Sequence, residues 1–123
     1  AVMAAFKLPK STEEDQAKRE AAVETATKHA AEVPLQVMSK ALESLRLVCM
    51  VAAKGNQNSI SDAGVAGLMG MSAIEGAGYN VRIPLTNLKD AAFAEKLRKE
   101  VAAITAEGRS LADKIRGMVE AKL

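Results

Sequence analysis

Apolar side chains recur three and four positions apart through most of this chain. Val23, Ala26, Ala30, Val33 and Val37 keep that spacing, and Leu35, Met38, Leu42, Leu45, Cys49 and Ala52 resume it on a shifted face. Ala94, Leu97, Val101, Ile104, Gly108, Leu111, Ile115 and Met118 carry it onward. A period of that kind lines one face of an α-helix. At 1.5 Å per residue the last run predicts a helix of about 50 Å. So long a stripe needs partners along its whole length, which means a helical bundle, an oligomer, or both. Aromatic residues make up only 2% of the 123 residues, so the core must be built from Ala, Val, Leu, Ile and Met. Cores of that kind form most easily between closely packed helices. The expected fold is all-α: one domain, an antiparallel bundle of long helices.

Punctuation divides the chain into four segments. "AVMAAFKLP" opens on apolar residues without a capping residue and reads as the end of a helix whose beginning is missing, so the chain is expected to be a fragment. Pro9 closes it. In "STEED", Ser11 and Glu14 stand at capping-box spacing, with acidic residues placed to favour the dipole of a long second helix. Pro34 interrupts that pattern and predicts either one bent helix or two stacked ones. Gly55 is a natural C-terminal glycine. A third segment runs from about Ser59 to Ile83, and a fourth follows the capping signals Asn87 and Asp90.

The third segment has its own character. From Ala63 to Ile74 it carries no charge, and Gly64, Gly67, Gly70, Ala73 and Gly76 recur every three residues. Each glycine costs a helix about 1 kcal/mol relative to alanine, so close approach by a neighbour or a ligand is needed to explain them. Small residues admit neighbouring backbones, and this helix is expected at the crowded centre of the bundle, touched on most sides. The uncharged run is too short to cross a bilayer, and Glu75 would lie inside any longer version.

Several functions are disfavoured. The net charge of +2 comes from 17 basic and 15 acidic residues interspersed along the chain, so there is no nucleic-acid footprint. Cys49 is the only cysteine, which suits a reducing compartment and predicts a cytoplasmic protein. It reads as a small buried hydrophobe. His29 is the only histidine, and no set of metal ligands accompanies it. No signal peptide, phosphate-binding loop or nucleophile elbow is recognisable.

What remains are polar residues at helix ends. In "NQNSISD" (56–62), Asn58, Ser59, Ser61 and Asp62 sit where the third helix begins, beside free backbone N–H groups and a positive dipole end. That space suits an anion or a polarised carbonyl. Equally, Ser59 and Asp62 have the spacing of a capping box that involves no ligand. Tyr79, Asn80 and Arg82 lie at the far end, and Glu75 shares a face with Arg82, as an ion pair or as a substrate clamp. Lys7 and Lys10 flank Leu8 and Pro9, where they complement a helix dipole or meet substrate carboxylates.

Three stretches, "MAAFKLPKSTEE" (3–14), "GNQNSISDAGVAG" (55–67) and "YNVRIPLTNLKD" (79–90), together resemble the cyclodeaminase/cyclohydrolase domain of the formiminotransferase-cyclodeaminase family, in order and over essentially the whole chain. The resemblance implies that residues 1–123 are the C-terminal part of one helical domain whose N-terminal part is missing. It implies a dimeric folate enzyme, with a formiminotransferase domain fused or associated in some members and no cofactor beyond tetrahydrofolate itself. Such enzymes form the 5,10-methenyl ring from 5-formiminotetrahydrofolate, or open it to 10-formyltetrahydrofolate. On that basis Asp62 is the candidate acid/base or cation-facing group. Asn58 and Ser61 would meet the pterin or orient water, and Lys7, Lys10 and Arg82 would hold the glutamate tail, with Asn80 a further substrate-binding candidate. The chain departs from the family at Gln57, commonly proline, and at Pro84, commonly asparagine. A second reading is a helical assembly module whose chemistry lies elsewhere in a larger polypeptide.

Overall fold

A computed structural model describes all 123 residues. They form four helices: α1 (Val2–Phe6), α2 (Glu13–Lys54), α3 (Ile60–Leu85) and α4 (Ala91–Glu120), with a 3-10 turn at Gln57–Ser59 between α2 and α3. No helix is long and apolar enough to cross a membrane.

The start of α2 is set one residue later than the expected Ser11–Glu14 pair. Thr12 Oγ1 accepts the Asp15 N–H at 3.1 Å, and Ser11 instead donates to the Asp15 carboxylate at 3.0 Å. From there α2 runs unbroken through Pro34. Loss of one backbone hydrogen bond and a ring clash cost about 3 kcal/mol. Ala31 and Met38, both fully buried on either side of Pro34, anchor the helix against its neighbours and offset that cost. Gly55 ends α2 in extended backbone (φ −79°, ψ −172°), with no left-handed turn. Its N–H reaches Val51 O at 2.7 Å, and a Cβ there would lie 2.5 Å from the same oxygen, so close approach is what requires the glycine.

The three long helices share one core, led by Met38, Leu42 and Leu45 of α2, Ile74 and Val81 of α3, and Leu97 and Ile115 of α4. α3 runs antiparallel to both neighbours: Gly64 meets Val119, Gly67 meets Ile115, Ile74 meets Gly108, and Gly78 meets Met38 and Val101. Gly64, Gly67 and Gly70 of the predicted series thus admit Val119, Ile115 and Leu45, and Gly78 and Gly108, outside that series, do the same for Met38 and Ile74. The expected crowding on most sides is not found, however. Val65, Leu68, Met69, Tyr79 and Ile83 of α3 are more than half exposed, and nothing lies within 4 Å of where a Gly76 Cβ would stand. Two partners cover only part of a helix's circumference, so one side of α3 stays open.

Pro84 falls one residue before the end of α3, and the Thr86 hydroxyl donates to Ile83 O at 2.9 Å. The corner that follows is locked by charge. Asp90 caps α4 by accepting the Phe93 N–H at 3.0 Å, and it takes Lys28 Nζ at 2.6 Å. Glu24 accepts the Asp90 and Lys89 N–H groups at 3.0 and 3.1 Å, while Lys89 Nζ pairs with Glu20. Asn87 is not the cap.

Candidate functional site

A groove runs along the seam between α3 and α4. The antiparallel register places Glu75 opposite Arg109, and their ion pair, 3.1 Å long, bridges the groove near its middle. Toward the N-terminus of α3 lies a cavity of about 640 Å³ with apolar walls from Val65, Leu68 and Met71 and the hydroxyls of Ser61 and Ser72. Toward the C-terminus of α3 lies a cavity of about 490 Å³, lined by Tyr79, Arg82, Arg98, Thr105 and Arg109. The first is also lined by Glu75, Arg109, Asp113, Arg116 and Glu120, so its walls are mixed apolar and charged; in the second Glu75 is neutralised by Arg109, which leaves Arg82 and Arg98 to favour an anion.

Small residues keep the second cavity open. Gly78, Ala102 and Ala106 line it between the longer side chains. Arg82 is held in place twice: its Nε donates to Gly78 O at 3.2 Å, and its guanidinium lies 5.3 Å from the centre of the Tyr79 ring. Glu75 shares this face with Arg82, as expected, but its ion pair is with Arg109. Arg82 and Arg98 have no carboxylate within 4.0 Å.

Ser61 and Arg82 line opposite ends of this groove, separated along α3 by about 32 Å. Asp62, next to Ser61, is exposed and makes no side-chain hydrogen bond or ion pair, and its predicted capping partner Ser59 makes no cap bond either. The turn is closed by Asn56, whose side chain accepts the Asn58 N–H at 3.0 Å. The Asp62 carboxylate thus makes no cap bond; it stands in the first turn of α3, where it complements the helix dipole, and it lines neither cavity. Asn58 and Asn80 are exposed and lie outside both cavities.

Lys7 and Lys10 are exposed in the turn between α1 and α2. The 42 residues of α2 separate that turn from Asp62, a distance of about 50 to 60 Å. Within one chain the two lysines and Asp62 do not meet.

Tyr79 was legible as a polar helix-end residue, whereas Arg98, Thr105, Arg109 and Ser72 were not singled out. The signal for the α4 residues was present: Arg98, Ala102, Thr105 and Arg109 form a stripe of three- and four-residue spacing beside the apolar one. Only the register with α3 makes that stripe a groove wall. The clearly displaced pKa values lie elsewhere, at the α3–α4 corner. Hydrogen bonds from Lys89, from the Asp90 and Lys89 backbone, and from Lys28 hold Glu20, Glu24 and Asp90, respectively, below the usual carboxylate range, and their partners Lys28 and Lys89 are raised. No three His, Cys, Asp or Glu side chains are placed together as metal ligands would be.

Comparison with known proteins gives this geometry a context. The family model described as formiminotransferase-cyclodeaminase matches residues 1–103. A methenyltetrahydrofolate cyclohydrolase of Methylorubrum extorquens is 42% identical over all 123 residues, which are 59% of that protein. The formimidoyltransferase-cyclodeaminase of Rattus norvegicus is 30% identical over 99% of this chain and 23% of its own. The crystal structure of formiminotetrahydrofolate cyclodeaminase from Thermotoga maritima superposes with a TM-score of 0.83 at 25% identity, covering 98% of this chain and 56% of that one. The chain thus spans little more than half of its single-activity relatives. With the family model matching residues 1–103 and a relative 42% identical over the full chain, the chain belongs to the formiminotransferase-cyclodeaminase family.

Proposed function

We propose that this chain is part of an enzyme of folate one-carbon chemistry, a methenyltetrahydrofolate cyclohydrolase or a formiminotetrahydrofolate cyclodeaminase. The observation that carries the reading is 42% identity to a named cyclohydrolase over the full chain. In the hydrolytic direction, water adds to the methenyl carbon, the bond to N5 breaks with N5 taking a proton, and the formyl group stays on N10. In the deaminating reaction N10 adds to the formimino carbon and ammonia leaves. Both pass through a tetrahedral carbon between two nitrogens and need a proton carrier beside a cationic centre.

Asp62 is the carboxylate proposed for that role. Ser61 and Asn58 would meet the pterin or orient water, and Lys7, Lys10, Asn80 and Arg82 would hold the carboxylate-bearing tail. No cofactor beyond the folate is invoked, and the proposed setting is cytoplasmic. If the lysines and Asp62 serve one site, they come from different chains, since α2 holds them far apart within one. The proposed assembly is therefore a homodimer with α3 helices antiparallel, which also covers the open face of Val65, Met69, Tyr79 and Ile83. A formiminotransferase domain is a proposed neighbour, as the name of the rat relative includes that activity.

The test is the methenyl absorbance of the intact protein containing this chain. Its decay on adding 5,10-methenyltetrahydrofolate identifies the hydrolase, and its rise from 5-formiminotetrahydrofolate identifies the deaminase. Asp62→Asn should lower turnover at least a hundredfold while the fold is kept. Normal turnover in that variant would remove Asp62 from the chemistry. An inert but oligomeric wild-type protein would favour the assembly-module reading, which the exposed apolar side of α3 also supports.

A further inference from the structure

The α3–α4 register brings two unneutralised arginines to one level of the groove. Gly78 of α3 faces Val101 of α4, and Glu75 pairs with Arg109. One turn beyond the first contact, Arg82 and Arg98 stand on opposite walls of the same cavity of about 490 Å³. Of the six arginines, Arg46, Arg109 and Arg116 have carboxylate partners, and Arg19 donates to Phe6 O while its guanidinium lies against the Phe6 ring. Arg82 and Arg98 are the two in that cavity without a carboxylate partner, since Glu75, which also lines it, is taken by Arg109. Like charges facing across a groove repel, an effect that weakens when an anion lies between them. Arg82 is also pre-positioned by the Gly78 carbonyl and the Tyr79 ring, so little side-chain freedom is lost on binding. Beyond the pair, the floor is Ala102 and Ala106 with the Thr105 hydroxyl, wide enough for an aliphatic stem.

We propose that Arg82 and Arg98 form a clamp for the terminal carboxylate of a flexible, carboxylate-bearing ligand whose stem lies along the groove over Ala102 and Ala106. The planar guanidinium forks match carboxylate geometry and can each donate two hydrogen bonds. Resting on the function proposed above, the ligand is the glutamyl end of the folate, and the specificity it meets is for carboxylate over other anions. Arg98 is then a binding residue alongside Arg82. Lys7 and Lys10 of the same chain are too distant to share in this clamp.

The clamp can be tested without the pterin. The dipeptide γ-glutamylglutamate is titrated into the intact protein while the arginine Nε–H signals are followed by NMR. The Arg82 and Arg98 signals should move together and saturate at millimolar dipeptide. Arg98→Ala should weaken binding about tenfold or more, Arg98→Lys should restore part of it, and Lys114→Ala, on the same helix outside the groove, should change nothing. Arg98 makes no ion pair or hydrogen bond to lose, so the melting temperature should stay the same. Unmoved Arg82 and Arg98 signals, or wild-type affinity in Arg98→Ala, would overturn the clamp. Inorganic phosphate binding as tightly as the dipeptide would overturn its assignment to carboxylate. Dipeptide binding that depends on Arg98 in a protein that leaves methenylfolate untouched would uphold the clamp and sink the folate reading instead.

Discussion

Gly108 and Gly117 carry the same residue on the same helix and have opposite reasons for being there. A Cβ at Gly108 would stand 2.7 Å from Ile74 Cδ1, and Ile74 is fully buried with little room to swing aside. Gly117 has nothing within 4 Å. Gly108→Val should therefore destabilise the fold by about 2–3 kcal/mol through overpacking, whereas Gly117→Ala should stabilise it by about 0.5–1 kcal/mol through helix propensity. Urea denaturation of the two variants checks both, and equal effects would mean the helix seam is looser than described. Capping was legible at this scale in kind but not in position. Ser11, Thr12 and Ser59 all have the right chemistry, and local spacing does not say which hydroxyl will face an N–H. Thr12 does so, while Asn56 closes the turn ahead of Ser59.

At the scale of the element, the corner between α3 and α4 is the most charge-dependent part of the fold. Glu24 is held low chiefly by the Asp90 N–H and then by that of Lys89, and Asp90 chiefly by Lys28. A carboxylate whose folded pKa is depressed stabilises the fold above its unfolded value and loses that contribution as pH falls through the folded one. Starting from ordinary values of 4.5 and 3.8, the melting temperature should fall as pH drops below about 4.5. Lys28 and Lys89 are raised, so their contribution is present below their ordinary 10.5 and is lost as pH rises beyond it. Glu24→Gln should lower the melting temperature at pH 7 and flatten its decline in acid. An unchanged acid limb in that variant would show that the corner is not what titrates. None of this network was visible in sequence, because Glu20, Glu24 and Lys28 meet Lys89 and Asp90 only across more than sixty positions of chain. The helices themselves were legible, since periodicity is a local property. Pro34 left two outcomes open, and packing by Ala31 and Met38 selected the single continuous helix.

For the whole molecule, the decisive quantity is the length of α2. It places Lys7 and Lys10 at one end and Asp62 at the other, so a site that uses all three needs two chains. Mixing a Lys7→Ala/Lys10→Ala protein with an Asp62→Asn protein should then recover turnover that neither has alone, because one of the two sites in the mixed dimer is intact. Absence of recovery, with mixed dimers demonstrated by native mass spectrometry, would remove the lysines from the Asp62 site. The open side of α3 belongs to the same question. Its glycines were legible as places of close approach, but the sequence pattern alone did not reveal that α2 and α4 would leave Val65, Met69, Tyr79 and Ile83 uncovered.

The amino-acid sequence by itself determined that this chain is helical, where its helices begin and end to within a few residues, that its third helix must be slim, and which family it resembles. These follow from local periodicity, local backbone chemistry and contiguous motifs. Tertiary structure alone decided that Arg82 and Arg98 line one cavity, that Glu75 pairs with Arg109 rather than Arg82, that Asp62 makes no cap bond, and that the lysines lie far from it. Those facts depend on the register between antiparallel helices, set by glycines receiving Ile115, Leu45 and Ile74. Register is a property of the assembled core, and no short stretch of sequence contains it.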